Sequence, residues 1–209
     1  MTSPFAPPTR QLGTLLLADI SGYTSFLQGV DDAHREFAEM DEPPMAYVMM
    51  SSLLDAISSA IAPAFSVAKL EGDAVFAIAE DGAIEGAGLL ELVDRCYARF
   101  QEDLSRAGQE WICNCSACSR ASELDLKFIV HHGRWIAQTI GGNRELLGPD
   151  VNLVHRLLKN GAQKLIGPVP YVLLTQQVID ALAIPSDGMP MATEDIEGMG
   201  SVQVHVKRI

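Results

Sequence analysis

Basic residues are scarce in this chain: 15 lysines and arginines stand against 27 aspartates and glutamates, which gives a net charge of −12. Nucleic-acid backbones and anionic membranes are bound by basic surfaces, so this balance argues against both as the main partner. It does not exclude a nucleotide, because bound metal ions neutralise phosphates.

The sequence also lacks a long uninterrupted apolar run. Residues 1–10 contain three prolines and no apolar stretch, which is not the pattern of a signal peptide. Residues 46–65 are interrupted by serines, Asp55 and Pro63, so they fall short of the roughly 18 apolar residues of a membrane span. We therefore expect a cytoplasmic protein with no membrane partner, and residues 1–11 as a disordered or extended segment.

Cysteine is rare, and three of the four cysteines crowd into residues 113–118 as Cys113, Cys115 and Cys118. We interpret residues 108–123 as an insert, and its crowded spacing favours a metal site over a disulfide framework. Cys96 would complete a Cys₄ site for Zn²⁺ or for an iron–sulfur cluster. The alternative is reduced thiols that pack as small hydrophobic side chains.

What is present is a globular composition, with 48% hydrophobic residues in 209, which predicts one domain over residues 12–209. The predicted strands are residues 12–20, 65–70, 74–79, 124–131, 135–140, 171–175 and 202–206. The predicted helices are residues 26–41, 45–61, 85–107, 151–159 and 176–182. Hairpins, two of them turning at Gly72 and Gly133, alternate with crossovers, which predicts an α+β fold with an antiparallel-rich sheet.

Two acidic residues follow predicted strands. Asp19 lies at the end of the first strand, and Asp73 lies beside Gly72 at a hairpin tip. If the strands are neighbours, both carboxylates emerge at one edge of the sheet, and carboxylates with phosphate oxygens are typical ligands of Mg²⁺. The alternative is that each aspartate is a turn or cap residue.

Other polar residues are either candidate functional residues or ordinary surface residues. Asn152 and Arg156, four residues apart on a helix, lie side by side, and arginine stabilises transferring phosphoryl groups. Lys69, at a strand end, either reaches a base or phosphate or is solvated. Of the adjacent His131 and His132, one must face inward, so we interpret it as a core histidine.

Four stretches, taken in order, resemble the successive signatures of class III adenylyl and guanylyl cyclase catalytic domains. They are residues 18–24 (ADISGYT), 69–74 (KLEGDA), 130–133 (VHHG) and 148–157 (GPDVNLVHRL). The resemblance spans residues 12–209, and the ordered set is specific although each motif is weak. It implies a ferredoxin-like class III nucleotidyl cyclase fold, α+β, with helices flanking the central sheet.

The resemblance implies a role for each matching position. Asp19 and Asp73 would bind two Mg²⁺ or Mn²⁺ ions, assisted by the Ile20 carbonyl. Lys69 would read the base, as in adenylyl cyclases, and Glu145 falls near its acidic or polar partner. Asn152 would orient the ribose, and Arg156 would steady the pentavalent phosphorus.

The resemblance also implies a head-to-tail homodimer, in which each site takes its metals from one chain and its Asn, Arg and Lys from the other. The implied reaction is attack of the ribose 3′ oxygen on the α-phosphorus of a nucleoside triphosphate, with ATP favoured through Lys69. The products are a 3′,5′-cyclic nucleotide and pyrophosphate.

Two features depart from the family pattern. Where the family has a Lys-Gly-Lys-Gly-like turn that contacts the terminal phosphates, this chain has an acidic turn at Glu197, which would repel a triphosphate. Lys207 is a candidate to compensate for the missing lysine. The hairpin between Ile140 and Gly148, which carries Glu145, is about two residues shorter than in the family, where this arm supports the dimer.

These departures keep two other functions open. One is a catalytically silent cyclase-like module that binds nucleotide and metal and signals by occupancy, because Glu197 has altered the triphosphate site. The other is an interaction or redox-sensing protein that uses the cysteine cluster.

Overall fold

The computed structural model describes residues 9–35, 44–110, 113 and 115–209. The strands are β1 (Thr9–Ser21), β2 (Ser66–Glu71), β3 (Ala74–Glu80), β4 (Asp125–Ile140), β5 (Asn143–Leu147), β6 (Tyr171–Thr175), β7 (Met191–Ile196) and β8 (Gly200–Arg208). The helices are α1 (Tyr23–Ala33), α2 (Met45–Ile61), α3 (Gly86–Glu110), α4 (Pro149–Arg156), α5 (Ala162–Ile166) and α6 (Gln176–Ala181). A short 3₁₀ helix, Cys118–Glu123, precedes β4.

The strands form one 8-stranded sheet in the order β2-β3-β1-β4-β6-β8-β7, and β5 pairs with β4 beside this path. β4 and β6 run parallel, and the other strand pairs within the described ranges run antiparallel. Helices cover both sides of the sheet. The prediction of an α+β fold with an antiparallel-rich central sheet flanked by helices is confirmed.

The two faces of the sheet carry separate hydrophobic cores, because successive side chains of a strand point to opposite faces. On β1, Leu16 and Ile20 pack on what we call the first face, under α1, α2, α3 and α6. Leu15 and Leu17 pack on the second face, under α4 and α5. Asp19 continues the second-face row, so its carboxylate lies on the side of α4.

The helices are held to the sheet by apolar stripes. The helix predicted over residues 45–61 is confirmed as α2, in which Met49, Leu53, Ile57 and Ile61 recur every four residues and are each at most 4% exposed. This spacing puts the four side chains on one side of the helix, facing the first core. Among the helices of the described ranges, none is both long and apolar enough to cross a bilayer.

The hairpin predicted to turn at Gly133 is wrong, because β4 runs through this residue without a break. Gly133 pairs with Gly13 of β1 in the middle of the sheet. A side-chain carbon added at Gly133 would lie 2.6 Å from Cγ of Asp150. Glycine is therefore needed here for the close approach of the first turn of α4 and not for a turn of the chain.

Other differences lie at element ends and in short elements. α1 ends at Ala33, whereas the prediction extended to residue 41, and residues 36–41 lie outside the described part of the chain. β1 begins at Thr9, before the predicted residue 12. β7 and α5 were not predicted, because five or six residues with half their side chains exposed carry little periodic signal.

The edge strand β2 contains a β-bulge between Val67 and Lys69. Val67 pairs with Ala77, which faces the first core, while Lys69 pairs with Phe76, which faces the second. Residues two apart in sequence thus point to opposite faces, because one extra residue is inserted in the strand. The bulge aims Lys69 at the second face, the side on which α4 packs.

Candidate functional site

Two carboxylates and one ammonium meet where β1 ends, and we call this group the carboxylate corner (Asp19, Asp73 and Lys127). Asp19 pairs in register with Ala74 of β3 and with Lys127 of β4. Asp73 follows Gly72, whose φ of +63° is the left-handed conformation that a tight turn between β2 and β3 requires. The backbone N–H of Ile20 donates to the Asp73 carbonyl at 3.2 Å and holds the turn against β1.

The corner concentrates negative charge and already contains one cationic group. Asp19 is 8% exposed, and its Oδ2 lies 3.0 Å from Nζ of Lys127. Burial, and then the charge of Asp19, raise the pKa of the Asp73 carboxyl, while Lys127 acts in the opposite direction. The ammonium stands where a positive charge is favoured, so the oxygen donors of this corner fit a hard divalent cation such as Mg²⁺.

Lys127 was missed by the sequence reasoning, although it carries a recognisable signal. It stands in an otherwise apolar strand, between Leu126 and Phe128, which are both fully buried. A lysine inside such a strand requires a partner when it is largely buried, because an unpaired buried charge is costly. That partner, Asp19, was visible only once β1 and β4 were aligned.

The structure brings Lys69 and Glu145 together from distant parts of the chain. β5 returns along β4, with Glu145 opposite Gln138, and places Glu145 Oε2 at 3.4 Å from Nζ of Lys69. The two side chains are 51% and 31% exposed. An ion pair this exposed stabilises the fold little. Because both side chains are exposed, they are accessible to a ligand.

α4 presents Asn152 and Arg156 to solvent while Val151, Leu153 and Val154 face the second core. Nη1 of Arg156 donates to the Glu197 carbonyl at 2.6 Å. The acidic β7–β8 turn is thus attached through its main chain to α4. Within the part of the chain that the structure describes, Arg156 forms no ion pair with either carboxylate of the corner.

His155 of α4 faces the second core and contacts β2 and β3. Its Nδ1 lies 3.2 Å from Oε2 of Glu71, and its ring lies edge-on to Phe76 with centroids 4.8 Å apart. These contacts set the position of α4 over the sheet, and so the direction in which Asn152 and Arg156 point.

Lys207 does not compensate for the acidic turn. Its Nζ lies 3.0 Å from Oδ1 of Asp94, on α3. Lys207 pairs with Val172, whose side chain belongs to the first core, so its ammonium lies on the face opposite to Arg156.

The interpretation of the histidine pair is confirmed for His131, which is 2% exposed. Its Nδ1 lies 2.9 Å from the Thr175 hydroxyl oxygen, and its Nε2 lies 3.6 Å from Oδ1 of Asp150. Burial lowers the pKa of His131, with Asp150 acting in the opposite direction. His131 is therefore a core residue that also touches the first turn of α4.

The three clustered cysteines have a fourth neighbour, and it is not Cys96. We call the group His34, Cys113, Cys115 and Cys118 the sulfur cluster, because one donor atom from each residue lies within 4.8 Å of all the others. His34 follows α1, and its Nε2 lies 3.3 Å from Cys113 Sγ.

Cys96 is instead part of the first core and is fully buried. Its thiol lies among the apolar side chains of that core and is not one of the four donor groups that lie within 4.8 Å of one another. The prediction of a Cys₄ site that includes Cys96 is corrected by this position. The fourth donor comes from His34, directly after α1 and 79 positions away from Cys113 in sequence.

The thiols of the sulfur cluster differ in acidity. A backbone N–H of Cys115, and then His34, lower the pKa of Cys113 to about 7. Burial, and then the neighbouring Cys115 and Cys113, raise the pKa of Cys118 to about 12. Without a metal ion, the thiol of Cys113 thus ionises more readily than that of Cys118.

Solved structures of similar fold are nucleotidyl cyclases. The adenylyl cyclase CyaB of P. aeruginosa has a TM-score of 0.64 and 14% sequence identity, and the similarity covers 98% of this chain and 97% of that chain. The guanylyl cyclase Cya2 has a TM-score of 0.61 and 14% identity over 96% of this chain and 93% of that one. At this identity the similarity establishes the fold: the chain has the fold of class III cyclase catalytic domains.

Sequence comparison identifies the family. Rv2561/Rv2562, an uncharacterized protein of Mycobacterium tuberculosis, is 33% identical over 159 residues, which are 75% of this chain and 71% of that protein. The family described as "Protein of unknown function (DUF2652)" matches residues 50–164, more than half of the chain. This range includes Asp73 and the three cysteines of the sulfur cluster, but neither Asp19 nor His34. The chain belongs to the DUF2652 family.

Proposed function

We propose that this chain is a nucleotidyl cyclase that converts a nucleoside triphosphate, with ATP favoured, into a 3′,5′-cyclic nucleotide and pyrophosphate. The observation that carries the proposal is the carboxylate corner. In a fold shared with adenylyl and guanylyl cyclases, Asp19 lies near the end of β1 and Asp73 lies in the turn before the adjacent strand β3. The two are close enough for the charge of Asp19 to raise the pKa of the Asp73 carboxyl.

The corner is the metal-binding part of the proposed site. Asp19 and Asp73, with the Ile20 carbonyl, hold divalent cations. Bound at this position, Mg²⁺ or Mn²⁺ lowers the cost of forming the 3′ alkoxide and neutralises the phosphates. Lys127 must move away from Asp19 when a cation enters, because both compete for the same carboxylate oxygen.

The remaining groups lie on the exposed side of α4 and at the β2 edge. Asn152 orients the ribose, and the guanidinium of Arg156 steadies the α-phosphorus as the 3′ oxygen bonds to it. The bond from that phosphorus to the pyrophosphate oxygen breaks, pyrophosphate leaves, and the proton of the 3′ hydroxyl passes to solvent water. Lys69 contacts the base, and Glu145 fixes the direction of its ammonium.

A second copy of the chain completes each site. Arg156 projects into solvent and forms no ion pair with Asp19 or Asp73 among the described residues of its own chain. In a head-to-tail pair, α4 of one protomer faces the carboxylate corner of the other. Such a dimer contains two equivalent sites.

The test is a turnover assay with Mn²⁺ and each of the four nucleoside triphosphates, comparing the parent with Asp73→Asn. Removing one metal ligand costs several kcal/mol of transition-state stabilisation, so we expect product formation to fall at least about 100-fold. Asp94→Asn is the matched control, because it makes the same chemical change in a surface ion pair on the other face. No cyclic product from the parent with any of the four nucleotides contradicts catalysis.

Two observations favour a second candidate, a catalytically silent module that binds nucleotide and metal. Lys127 already neutralises Asp19, and the turn that would contact the terminal phosphates is acidic at Glu197. This candidate predicts Mn²⁺-dependent nucleotide binding, weakened by Asp73→Asn, with no cyclic product. Isothermal titration calorimetry with a non-hydrolysable triphosphate measures this binding, and the turnover assay, in which the silent module forms no product, separates the two candidates.

A further inference from the structure

The sulfur cluster offers three thiol sulfurs and one imidazole nitrogen, all within 4.8 Å of one another. A Zn–S bond of about 2.3 Å in a tetrahedron places neighbouring ligand atoms about 3.8 Å apart. The four donors therefore need to move inward only slightly to surround one ion. In an iron–sulfur cluster the ligands bind two or more iron atoms that are joined by sulfide. Its ligands are therefore more widely spaced than those around a single ion.

The His34 ring is held in the orientation that a metal ligand needs. Its Nδ1 lies 2.8 Å from the Val30 carbonyl oxygen. A carbonyl only accepts hydrogen bonds, so Nδ1 carries the proton and the lone pair of the neutral ring is on Nε2, the atom that faces Cys113. Metal-bound histidines are typically oriented by such a hydrogen bond from the other ring nitrogen.

The cysteine segment is likewise shaped around its sulfurs. The backbone N–H of Cys118 donates to Cys115 Sγ at 3.2 Å, and the N–H of Ser119 donates to the Cys115 carbonyl at 3.1 Å. This turn points the backbone N–H of Cys118 at a sulfur that would be a negatively charged thiolate in a metal site. Hydrogen bonds to ligating groups of this kind stabilise the metal-bound form.

The sulfur cluster also lies between two segments of the chain that a metal ion would connect. The insert lies beside α1: a side-chain carbon added at Gly29 would lie 3.5 Å from Cβ of Ala117, and one added at Gly22, just before α1, would lie 3.8 Å from the Glu123 carbonyl oxygen. These distances place the insert beside α1. The sulfur cluster joins the far end of α1, at His34, to Cys113.

We propose that His34, Cys113, Cys115 and Cys118 bind one Zn²⁺ ion, which cross-links the end of α1 to the cysteine insert. Four protein ligands leave no open position for a substrate, so the ion is structural. Cys96 is not a ligand. The site is separate from the carboxylate corner and does not depend on the proposed cyclase activity.

The experiment measures metal content by inductively coupled plasma mass spectrometry on the full chain purified without chelators. We expect about one zinc and no stoichiometric iron per chain. Reduced, metal-free protein is then titrated with Co²⁺, which we expect to give the intense ligand-field bands of tetrahedral cobalt with thiolate charge transfer. An octahedral spectrum, no binding, or the absorbance of an iron–sulfur cluster would overturn the proposal.

Matched variants assign the ligands. We expect Cys96→Ala to keep its metal, and His34→Ala to bind Co²⁺ at least about 100-fold more weakly, since losing even a residue that only orients a metal ligand costs about 10–100-fold. His34→Cys restores a fourth ligand and should strengthen the thiolate charge-transfer band. Metal lost from Cys96→Ala but retained by His34→Ala would contradict the assignment.

Folding of each variant is monitored by its thermal transition, and Asp73→Asn serves as the control for the other site. We expect Asp73→Asn to keep its zinc whether or not the parent is a cyclase. Failure of the zinc proposal and failure of the cyclase proposal are therefore distinguished by separate measurements.

Discussion

The two faces of the sheet are covered by helices in similar ways but differ in what they bury. The first face packs α1, α2, α3 and α6 over an almost entirely apolar core. The second face carries α4 and α5 over a smaller core, with charged or polar groups at its margins. These groups include Asp19, Lys127, His131, Lys69 and Glu145.

The difference separates stability from chemistry. Burying apolar area stabilises a fold by roughly 25 cal/mol per Å², whereas burying charges costs free energy unless they are paired. The first face therefore contributes most of the folding free energy. The second face holds ionisable groups that a purely structural surface has no reason to keep, and this supports placing the functional site there.

The largest expected effect is on the first face. Ile57→Ala removes a fully buried side chain of α2 from the first core, so we expect the free energy of unfolding to fall by about 2–5 kcal/mol. Val48→Ala, on the exposed side of the same helix, should change it by less than about 0.5 kcal/mol. Urea denaturation measures both. Equal losses in the two variants would show that α2 does not pack as described.

The second prediction concerns Lys127, whose ammonium group belongs to the carboxylate corner. Lys127→Met leaves Asp19 without its partner, and we expect a loss of about 1–3 kcal/mol in the free energy of unfolding without divalent ions. Mn²⁺ affinity should rise about 10-fold, because a competing positive charge is gone.

Lys127→Arg is the control for this variant, since it keeps the charge and should leave Mn²⁺ affinity close to that of the parent. Binding is followed by electron paramagnetic resonance of free Mn²⁺. Unchanged or weaker binding by Lys127→Met would mean that Lys127 is not displaced when the cation enters.

The third prediction concerns the contact between β4 and α4. Gly133→Ala places a methyl group against Asp150, whose carboxylate accepts the Arg134 backbone N–H, so we expect a loss of about 1–3 kcal/mol. Gly108→Ala, on α3 with open space around it, should instead stabilise by about 0.5–1 kcal/mol.

A double variant tests the cause of that loss. Asp150→Ala removes two of the three clashing atoms, Cγ and Oδ2, and leaves Cβ at 2.7 Å, so it should cost less in the Gly133→Ala background than in the parent. Simple additivity in thermal or urea unfolding would contradict the close approach as the cause.

The smallest expected effect is the change in stability on substituting Asp73, a residue of the proposed site. The folded state raises the pKa of Asp73 above its usual 3.8, chiefly by burial. A raised carboxyl pKa means that ionisation destabilises the fold as the pH rises above about 3.8. Asp73→Asn is neutral at every pH, so at pH 7 it should be more stable than the parent.

We expect this gain to be less than about 1 kcal/mol, because the carboxyl is only partly buried and solvent screens its charge. The difference between Asp73→Asn and the parent should shrink toward acidic pH in denaturation series. A variant that is more stable but inactive would show that Asp73 serves the activity and not the stability of the fold. A difference that grows as the pH falls would show that the pKa is lowered.

Much of the fold was predictable because the signals were local. The apolar stripe of α2 and the apolar runs of β3 and β6 each lie within a single element, and the predicted ranges match closely. The neighbourhood of Asp19 and Asp73 followed from strand ends and a tight turn. The roles of these residues stay predictions.

What the sequence did not reveal depends on contacts between distant segments. His34 joins the cysteines only because α1 packs along the insert, and nothing around His34 in sequence marks it as a ligand. Gly133 resembled a turn because glycine is common in turns, whereas the structure uses it for a close approach. Periodicity within one element carries no information on which elements pack together.

The bulge in β2 has a consequence for solubility. β2 is one edge of the sheet, and Val67 and Leu70 leave apolar surface exposed there, at 40% and 54%. A regular edge strand of this kind is a template for adding strands from other chains, which leads to aggregation. The bulge interrupts the row of evenly spaced backbone donors and acceptors, and Lys69 adds a charge beside it. The irregularity that aims Lys69 at the second face therefore also protects the sheet from edge-to-edge association.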